Sequence, residues 1–308
     1  MPSVLIRKAG LLTTIQDLGR PGYGRFGVPV SGAMDPLALR IANRLVENRD
    51  DLPALEITAL GPTIEFPQET RFALAGANLS PKLSGTAIDV WRDHLARAGE
   101  VLEFGPRRQG ARCYLAISGG VLAPYVMGSA ATDLDSALGG CNGAALQAGT
   151  VLGIPEQQPG AKKRRLLPEM FRAYSDPFQI RFLPNPDPEL ETGLSQFKTS
   201  SFHVSRHCNR MGYRLQGGKV DLPVSRETIS EAIPPGSIQV PPGGDPIMLM
   251  ADRQSVGGYP CIGYVIAADM PKAAQLWVGH PIRFVEVTLE QACSLLQQQE
   301  ETLQRAIV

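Results

Sequence analysis

A faint internal copy constrains this chain more than any single motif in it. Arg20-Pro-Gly22-Tyr23 followed by Gly27 recurs as Arg210-Met-Gly212-Tyr213 followed by Gly217, with the same internal spacing. After each copy come a glutamate, a glycine five residues on, and a short β-type run ending in proline. These are Glu56, Gly61 and Ile64-Glu-Phe-Pro67 in the first half, and Glu231, Gly236 and Ile238-Gln-Val-Pro241 in the second. Each half closes with a Gly-x-x-aliphatic-x-Phe segment, Gly99 to Phe104 and Gly279 to Phe284. The period is too long for a solenoid repeat or a propeller blade, so the pattern reads as a duplicated domain.

Length agrees with duplication: 308 residues divide into two domains of about 150, each large enough to bury a core. Lys plus Arg and Asp plus Glu number 30 each, so no net field gathers a nucleic acid or coats an anionic membrane. The 32 glycines and 26 prolines suit many short strands joined by tight turns. An all-β fold with few helices is expected. The five cysteines, Cys113, Cys141, Cys208, Cys261 and Cys293, are scattered and form no Cys-x-x-Cys pair, which predicts reduced thiols in a cytoplasmic chain. The N-terminal residues lack an apolar signal core, and no stretch approaches the ~18 apolar residues of a membrane span.

Short β-branched or alternating runs recur along the first half: Val4 to Arg7, Leu55 to Thr58, Thr63 to Phe66, Arg71 to Ala75, Ile88 to Trp91, Val101 to Phe104 and Arg112 to Ile117. The second half repeats the texture at Gln179 to Leu183, Phe202 to Ser205, Ile247 to Met250, Ile262 to Ala267 and Ile282 to Val287. Asp35-Pro36 predicts an N-cap with proline at the first helical position, and Leu37, Ile41, Ala42 and Leu45 supply one apolar face. Residues 289–306 predict a polar C-terminal helix with a thin stripe at Ala292, Leu295 and Leu296. Expected boundaries are a first domain over 1–155 carrying the inserted helix, a polar linker over 156–178, and a second domain over 179–308. The Lys162-Lys-Arg-Arg165 run reads as part of that solvated linker.

Several motifs fail on their context. Gly22-Tyr-Gly24-Arg-Phe-Gly27 has dinucleotide spacing, but Val28-Pro29-Val30 follows where a helix must begin. Gly212 to Lys219 resembles a phosphate loop, yet Val220 stands in place of the magnesium-binding hydroxyl and Asp-Leu-Pro follows instead of a helix. His203 and His207 share a helical spacing but lie at a strand end, so no metal site is expected. No Gly-x-Ser-x-Gly elbow and no biotinylation segment exist.

Two polar segments survive. Thr14, Asp17, Arg20, Ser31 and Asp35 gather hydroxyls, carboxylates and a guanidinium ahead of the Pro36 helix, whose N-terminus favours an anion. The other segment, Asp252-Arg253-Gln254-Ser255-Val256-Gly257-Gly258-Tyr259-Pro260, joins two apolar strands by a connection too long and too polar for a plain hairpin. Gly257-Gly258 admits close backbone approach, and Gln254, Arg253 and Asp252 offer donors and acceptors to an amide or carboxylate. Gln254, Arg210 and Asp252 are the candidate catalytic residues. Asn209, Arg214, Arg253, Gly257, Gly258 and Tyr259 join the first segment as candidate substrate contacts. Arg20 with Glu56 and Arg210 with Glu231 are expected as structural ion pairs.

The runs 10–23 (Gly-Leu-Leu-Thr-Thr-Ile-Gln-Asp-Leu-Gly-Arg-Pro-Gly-Tyr), 31–35 (Ser-Gly-Ala-Met-Asp), 54–58 (Ala-Leu-Glu-Ile-Thr), 209–215 (Asn-Arg-Met-Gly-Tyr-Arg-Leu) and 257–260 (Gly-Gly-Tyr-Pro) carry a family resemblance. Together they resemble the family of the 5-oxoprolinase C subunit. It is also labelled KipI antagonist (KipA) or allophanate hydrolase subunit 2, and is similar to the carboxyltransferase part of urea carboxylase. The resemblance runs from Val4 to about Gln291. It implies two cyclophilin-like β-barrels, the KipI-like B subunit for direct partner, and a larger assembly that also holds the A subunit. That assembly opens 5-oxo-L-proline to L-glutamate with hydrolysis of ATP, so the chain is expected to be inactive alone. The resemblance also implies two other roles. One is a biotin-dependent carboxyltransferase; the other is a KipA-type regulator that antagonises a KipI-like histidine kinase inhibitor. His207-Cys208 and Ser255-Val256 depart from the usual family residues, and the second change bears on which ligand the loop accepts.

Overall fold

Turn residues every few positions cut both halves into short strands, and alternation within each strand decides which face is buried. The computed structural model describes residues 1–156, 163–167, 178–222 and 230–308. They divide into two compact units. One holds Met1–Arg20, Ser31–Met170 and Leu303–Val308; the other holds Pro21–Val30 and Phe171–Thr302. By contacts, the ten residues from Pro21 group with the second unit and the last six residues with the first. Most of the expected linker lies outside the described residues. Its described residues 163–167 are anchored in the first unit, where Arg164 donates to Glu47 at 2.7 Å and Leu166 is buried.

In the first unit the strands form two antiparallel sheets. Val151–Gly153, Ser3–Lys8, Thr63–Phe66, Glu100–Glu103, Lys82–Leu83 and Thr86–Ala87 make one. Leu12–Gln16, Ala54–Thr58, Gln109–Ile117, Thr70–Asn78 and Arg92–Ala96 make the other. Val4, Ile6, Ile64 and Phe66 of the first sheet share one core with Ile15, Leu55, Phe72 and Leu115 of the second. The expected strand at Ile88 to Trp91 is not formed. Trp91 takes a φ of 68°, which ends extended pairing, and the strand begins at Arg92. Helix α1 (Pro36–Leu45) follows the prediction: the Asp35 side chain accepts from Ala38 N at 2.9 Å, and Leu37, Ile41, Ala42 and Leu45 are buried.

Beyond α1, Asp50 accepts from Arg44 Nε at 2.6 Å and from Arg40 Nε at 3.0 Å. Burial alone would raise its carboxyl, but the hydrogen bonds from Arg44 and Arg40 outweigh burial and hold it below its ordinary value. A depressed folded-state value stabilises above the unfolded value of about 3.9 and is lost as pH falls through the folded one. Asp50→Asn should therefore cost about 1 kcal/mol at neutral pH, discounted for partial exposure. The difference from wild type should vanish as denaturation is measured at successively lower pH below about 4.

The second unit closes into a seven-stranded barrel. Its order is Gln179–Pro184, Cys261–Val265, Ser237–Gln239, Ile247–Leu249, Gly212–Gln216, Phe202–Cys208 and Pro281–Glu286, the last pairing in parallel with the first. Helix α2 (Glu191–Thr199) inserts Phe197 among Phe182, Phe202 and Phe284, with a centroid distance of 4.6 Å to Phe284. A short helix α3 (Met270–Ala274) follows the Cys261–Val265 strand. Helix α4 (Leu289–Arg305) buries Ala292 and packs Leu295 against Ile266, while Leu296 is exposed, so the apolar stripe is narrower than expected.

The two copies of the repeated motif fold differently. In the second, Gly212–Gln216 is a barrel strand, and Asn209 Oδ1 accepts from Met211 N at 2.9 Å and Gly212 N at 3.2 Å. In the first, Pro21 has no N–H to donate and Gly19 no side chain to accept, so that turn cannot form. Gly24–Phe26 makes a single 3-10 turn instead. All five cysteines are free, and no helix among the described residues is long and apolar enough to cross a membrane.

Candidate functional site

The strand pairing of Gly212 with Leu249 carries the Asn209–Met211 turn alongside the start of the 252–260 loop. Met250 N donates to Met211 O at 2.8 Å and Asp252 N to Arg210 O at 2.9 Å. The Arg210 guanidinium then grips the Asp252 carboxylate from two nitrogens, at 2.7 and 2.9 Å, with both side chains about 5 % exposed or less. This bidentate pair replaces the expected pairing of Arg210 with Glu231, whose side chain is exposed in a two-residue strand. Glu56 likewise takes other partners than Arg20: the Tyr114 hydroxyl at 2.6 Å and Met34 N at 2.9 Å. Burial, followed by the Glu56 and Asp35 charges, pushes the Tyr114 phenol well above its ordinary value, so it remains a donor.

Arg253 also works inward. It donates to Ile233 O at 2.9 Å and Met250 O at 3.3 Å, and burial lowers its guanidinium from the ordinary value. Val256–Gly257 pairs with Glu231–Ala232, and Gln239 Nε2 reaches Tyr259 O at 3.3 Å. The loop is thus pinned at both ends and along its middle. What it presents outward is Gln254, Val256, Gly258 and Tyr259, with Asn209 and Met211 exposed on the adjoining turn. Arg210, Asp252 and Arg253 hold this surface from within, and Gln254 is exposed on it. Arg214 is exposed on the outer face two residues along the strand, opposite Ile247.

Sequence reasoning missed a third contributor. The Pro21–Val30 segment belongs to the second unit and lies against this loop: a β-carbon at Gly24 would stand 3.8 Å from Ser255 Cβ. It carries the exposed Phe26 with the Arg25 guanidinium 4.7 Å from the ring centroid.

The remaining candidates, Thr14, Asp17, Arg20, Ser31 and Asp35, form a separate buried cluster in the first unit. The N-terminus of α1 is closed by the Asp35 side chain, fully buried, so the anion expected there has no open N–H cradle. Asp17 accepts from Gly19 N at 2.7 Å, Ser129 Oγ at 2.6 Å and Ala130 N at 2.6 Å. Arg20 donates to the carbonyls of Val126 and Ala131. Thr14 accepts from Gln16 Nε2 at 3.1 Å, which also reaches Thr132 O at 3.0 Å. Residues 129–133, absent from the sequence reading, are therefore the second wall of this cluster. No group of metal-ligating side chains occurs among the described residues.

Comparison with known proteins places these features in context. The family described as carboxyltransferase domain, subdomain A and B, matches residues 26–286. The chain is 41% identical to the C subunit of 5-oxoprolinase from Escherichia coli (strain K12), over 96% of this chain and 94% of that protein. It is 31% identical to urea amidolyase of Saccharomyces cerevisiae, over 97% of this chain and 17% of that far longer one. Among solved structures, the K. lactis urea amidolyase superposes with a TM-score of 0.88 at 29% identity, covering 98% of this chain and 20% of that one.

Proposed function

We propose, from the premise that the chain belongs to the carboxyltransferase domain family with its subdomains A and B, that it is the C subunit of an ATP-dependent 5-oxoprolinase. The observation that carries this reading is the 41% identity to a 5-oxoprolinase C subunit over nearly the full length of both chains. In it, the chain acts with the A and B subunits to hydrolyse 5-oxo-L-proline to L-glutamate. Gln254 orients the lactam by paired hydrogen bonds, Asn209 and Tyr259 border it, and the Arg210–Asp252 pair fixes the loop that holds them. This assigns Arg210 and Asp252 positioning work instead of the direct chemistry expected of them, because each is buried against the other.

ATP finds no fitting residues in the loops of this chain that resemble nucleotide motifs. Gly212–Gln216 is a strand, and Lys219 is held by Gly243 O at 2.7 Å and Asp245 at 2.8 Å. The ATP-binding part of the reaction accordingly belongs to the other subunits in this proposal. The chain alone, the chain with its KipI-like partner, and the three-subunit set should be compared for 5-oxoproline-dependent ADP release. Only the full set should respond. Turnover by the chain alone, or silence from the full set, would overturn the proposal.

A second reading is favoured by the family's own description and by the urea amidolyase likeness. Here the chain would be part of a biotin-dependent carboxyltransferase, and the same loop would receive biotin from a separate carrier. Calorimetric titration with free biotin separates the two: saturable heat abolished by Gln254→Ala supports carboxyl transfer, and none supports the oxoprolinase.

A further inference from the structure

The barrel of the second unit carries its charge unevenly. The chain as a whole is balanced, with 30 basic and 30 acidic side chains, yet residues 202–216 and 277–285 contain no Asp or Glu. These stretches supply the adjoining strands Gly212–Gln216, Phe202–Cys208 and most of Pro281–Glu286. Phe202, Val204, Tyr213, Leu215, Ile282 and Phe284 are buried, while His203, Arg206, His207, Arg214 and Arg283 are exposed on the outer face.

Strand register brings these groups together. His203 stands opposite Gln216 on one side and Pro281 on the other, and Arg283 lies two residues along from Pro281. Between Val204 and Cys208 the strand bulges, so that Ser205, Arg206 and His207 together face the single residue Arg214. Ser205 is buried, which leaves Arg206 and His207 beside Arg214. Like charges on facing strands repel. None of the guanidiniums of Arg206, Arg214 and Arg283 has an ion pair among the described residues. The carboxylates at the margins are taken: Glu286 by Lys198 at 3.0 Å, and Asp245, two residues before Ile247, by Lys219 at 2.8 Å.

An uncompensated basic face opposes folding through self-repulsion, and a partner of opposite charge relieves it. No large apolar side chain is exposed on these three strands, so insertion into a lipid surface has nothing to drive it. Three guanidiniums are also few for the many phosphate contacts that hold a nucleic acid. Carboxylates on a protein surface suit them, because a guanidinium grips a carboxylate from two nitrogens and so fixes orientation as well as sign. The 5-oxoprolinase assembly proposed for this chain requires a partner subunit to dock on it. We propose that the outer face of these three strands is the docking surface for an acidic face of the KipI-like partner subunit. The inference rests on that assembly and adds to it a place and a charge.

The test measures binding of the KipI-like subunit to the full chain by calorimetry and surface plasmon resonance. Wild type should bind, and about threefold or more weakly at roughly 300 mM than at roughly 50 mM salt. Arg214→Glu should weaken binding about tenfold, chiefly by slowing association, with the melting temperature held or raised because a carboxylate then sits beside Arg206 and His207. Arg206→Glu with Arg283→Glu should weaken it at least as much. Lys8→Glu with Arg97→Glu, both exposed in the first unit, makes the same change in net charge as that double variant and should alter binding by less than about twofold. Binding by wild type that is indifferent to the variants of this face, or that the first-unit variant weakens equally, overturns the docking surface and leaves the assembly standing. No binding by wild type overturns both. Duplex DNA or phosphatidylserine vesicles bound as tightly as the subunit, and released by Arg214→Glu, would make the face a general polyanion surface and overturn the proposal as well.

Discussion

Asp252→Ala should lower the unfolding free energy of the chain by about 3–5 kcal/mol, because it removes the carboxylate that grips the buried Arg210 guanidinium from two nitrogens. The charge cannot reach water, since Arg210 is 4 % exposed, and an arginine does not neutralise itself by losing a proton. Replacing both partners by apolar residues of similar volume, as Arg210→Met with Asp252→Leu, should recover most of the loss. Urea denaturation of wild type, the single variant and the double variant checks this. A loss under about 1 kcal/mol for Asp252→Ala would mean that the pair behaves as an exposed one and does not anchor the loop. Recovery of stability in the double variant without recovery of assembled activity would separate the two roles of the pair. The fold tolerates its removal, but the loop needs its geometry.

The residues that act locally were the legible ones. Asp35-Pro36 announced α1 because a cap and a proline decide a helix start without help from the rest of the fold. The same signal recurs at Asp187-Pro188, where the Asp187 side chain accepts from Glu189 N at 3.0 Å and leads through a 3-10 turn into α2. That helix went unread, although Leu190, Leu194 and Phe197 keep a helical spacing and are buried. The long loop after Leu249 was legible from its length and polarity. Its internal division of labour was not, because which side chains turn inward depends on partners distant in sequence: Arg210 for Asp252 and Ile233 O for Arg253. The repeated Arg and Glu spacing suggested pairs within each copy, and three-dimensional pairing chose Asp252 and Tyr114 instead. Asp133 and Ser129 carry no motif at all. Only the approach of the 129–133 segment to the end of the Leu12–Gln16 strand gives them a role, and no spacing along the chain encodes that approach.

Gln254→Ala and Gly257→Val should both cripple the assembled enzyme, for different physical reasons that the paired measurement can resolve. The Gln254 side chain is exposed on a loop fixed by its neighbours, so truncation should cost about 1–3 kcal/mol of transition-state stabilisation with the melting temperature nearly unchanged. Gly257 is not required for its backbone angle, because its φ lies outside the left-handed region. It is required for space. A β-carbon there would stand 2.4 Å from Ile233 Cδ1, 2.8 Å from Gln254 Nε2 and 3.0 Å from Gln239 Nε2. Valine adds two further methyls to that clash, which should cost about 1–3 kcal/mol of stability and push the Gln254 amide out of place. Gly257→Val is therefore expected to lose at least as much activity as Gln254→Ala, with a lowered melting temperature besides. Adding Gln254→Ala to Gly257→Val should then cost little more, since two changes that disable one amide do not add. Wild-type turnover in both single variants would reduce the 252–260 loop to a long turn.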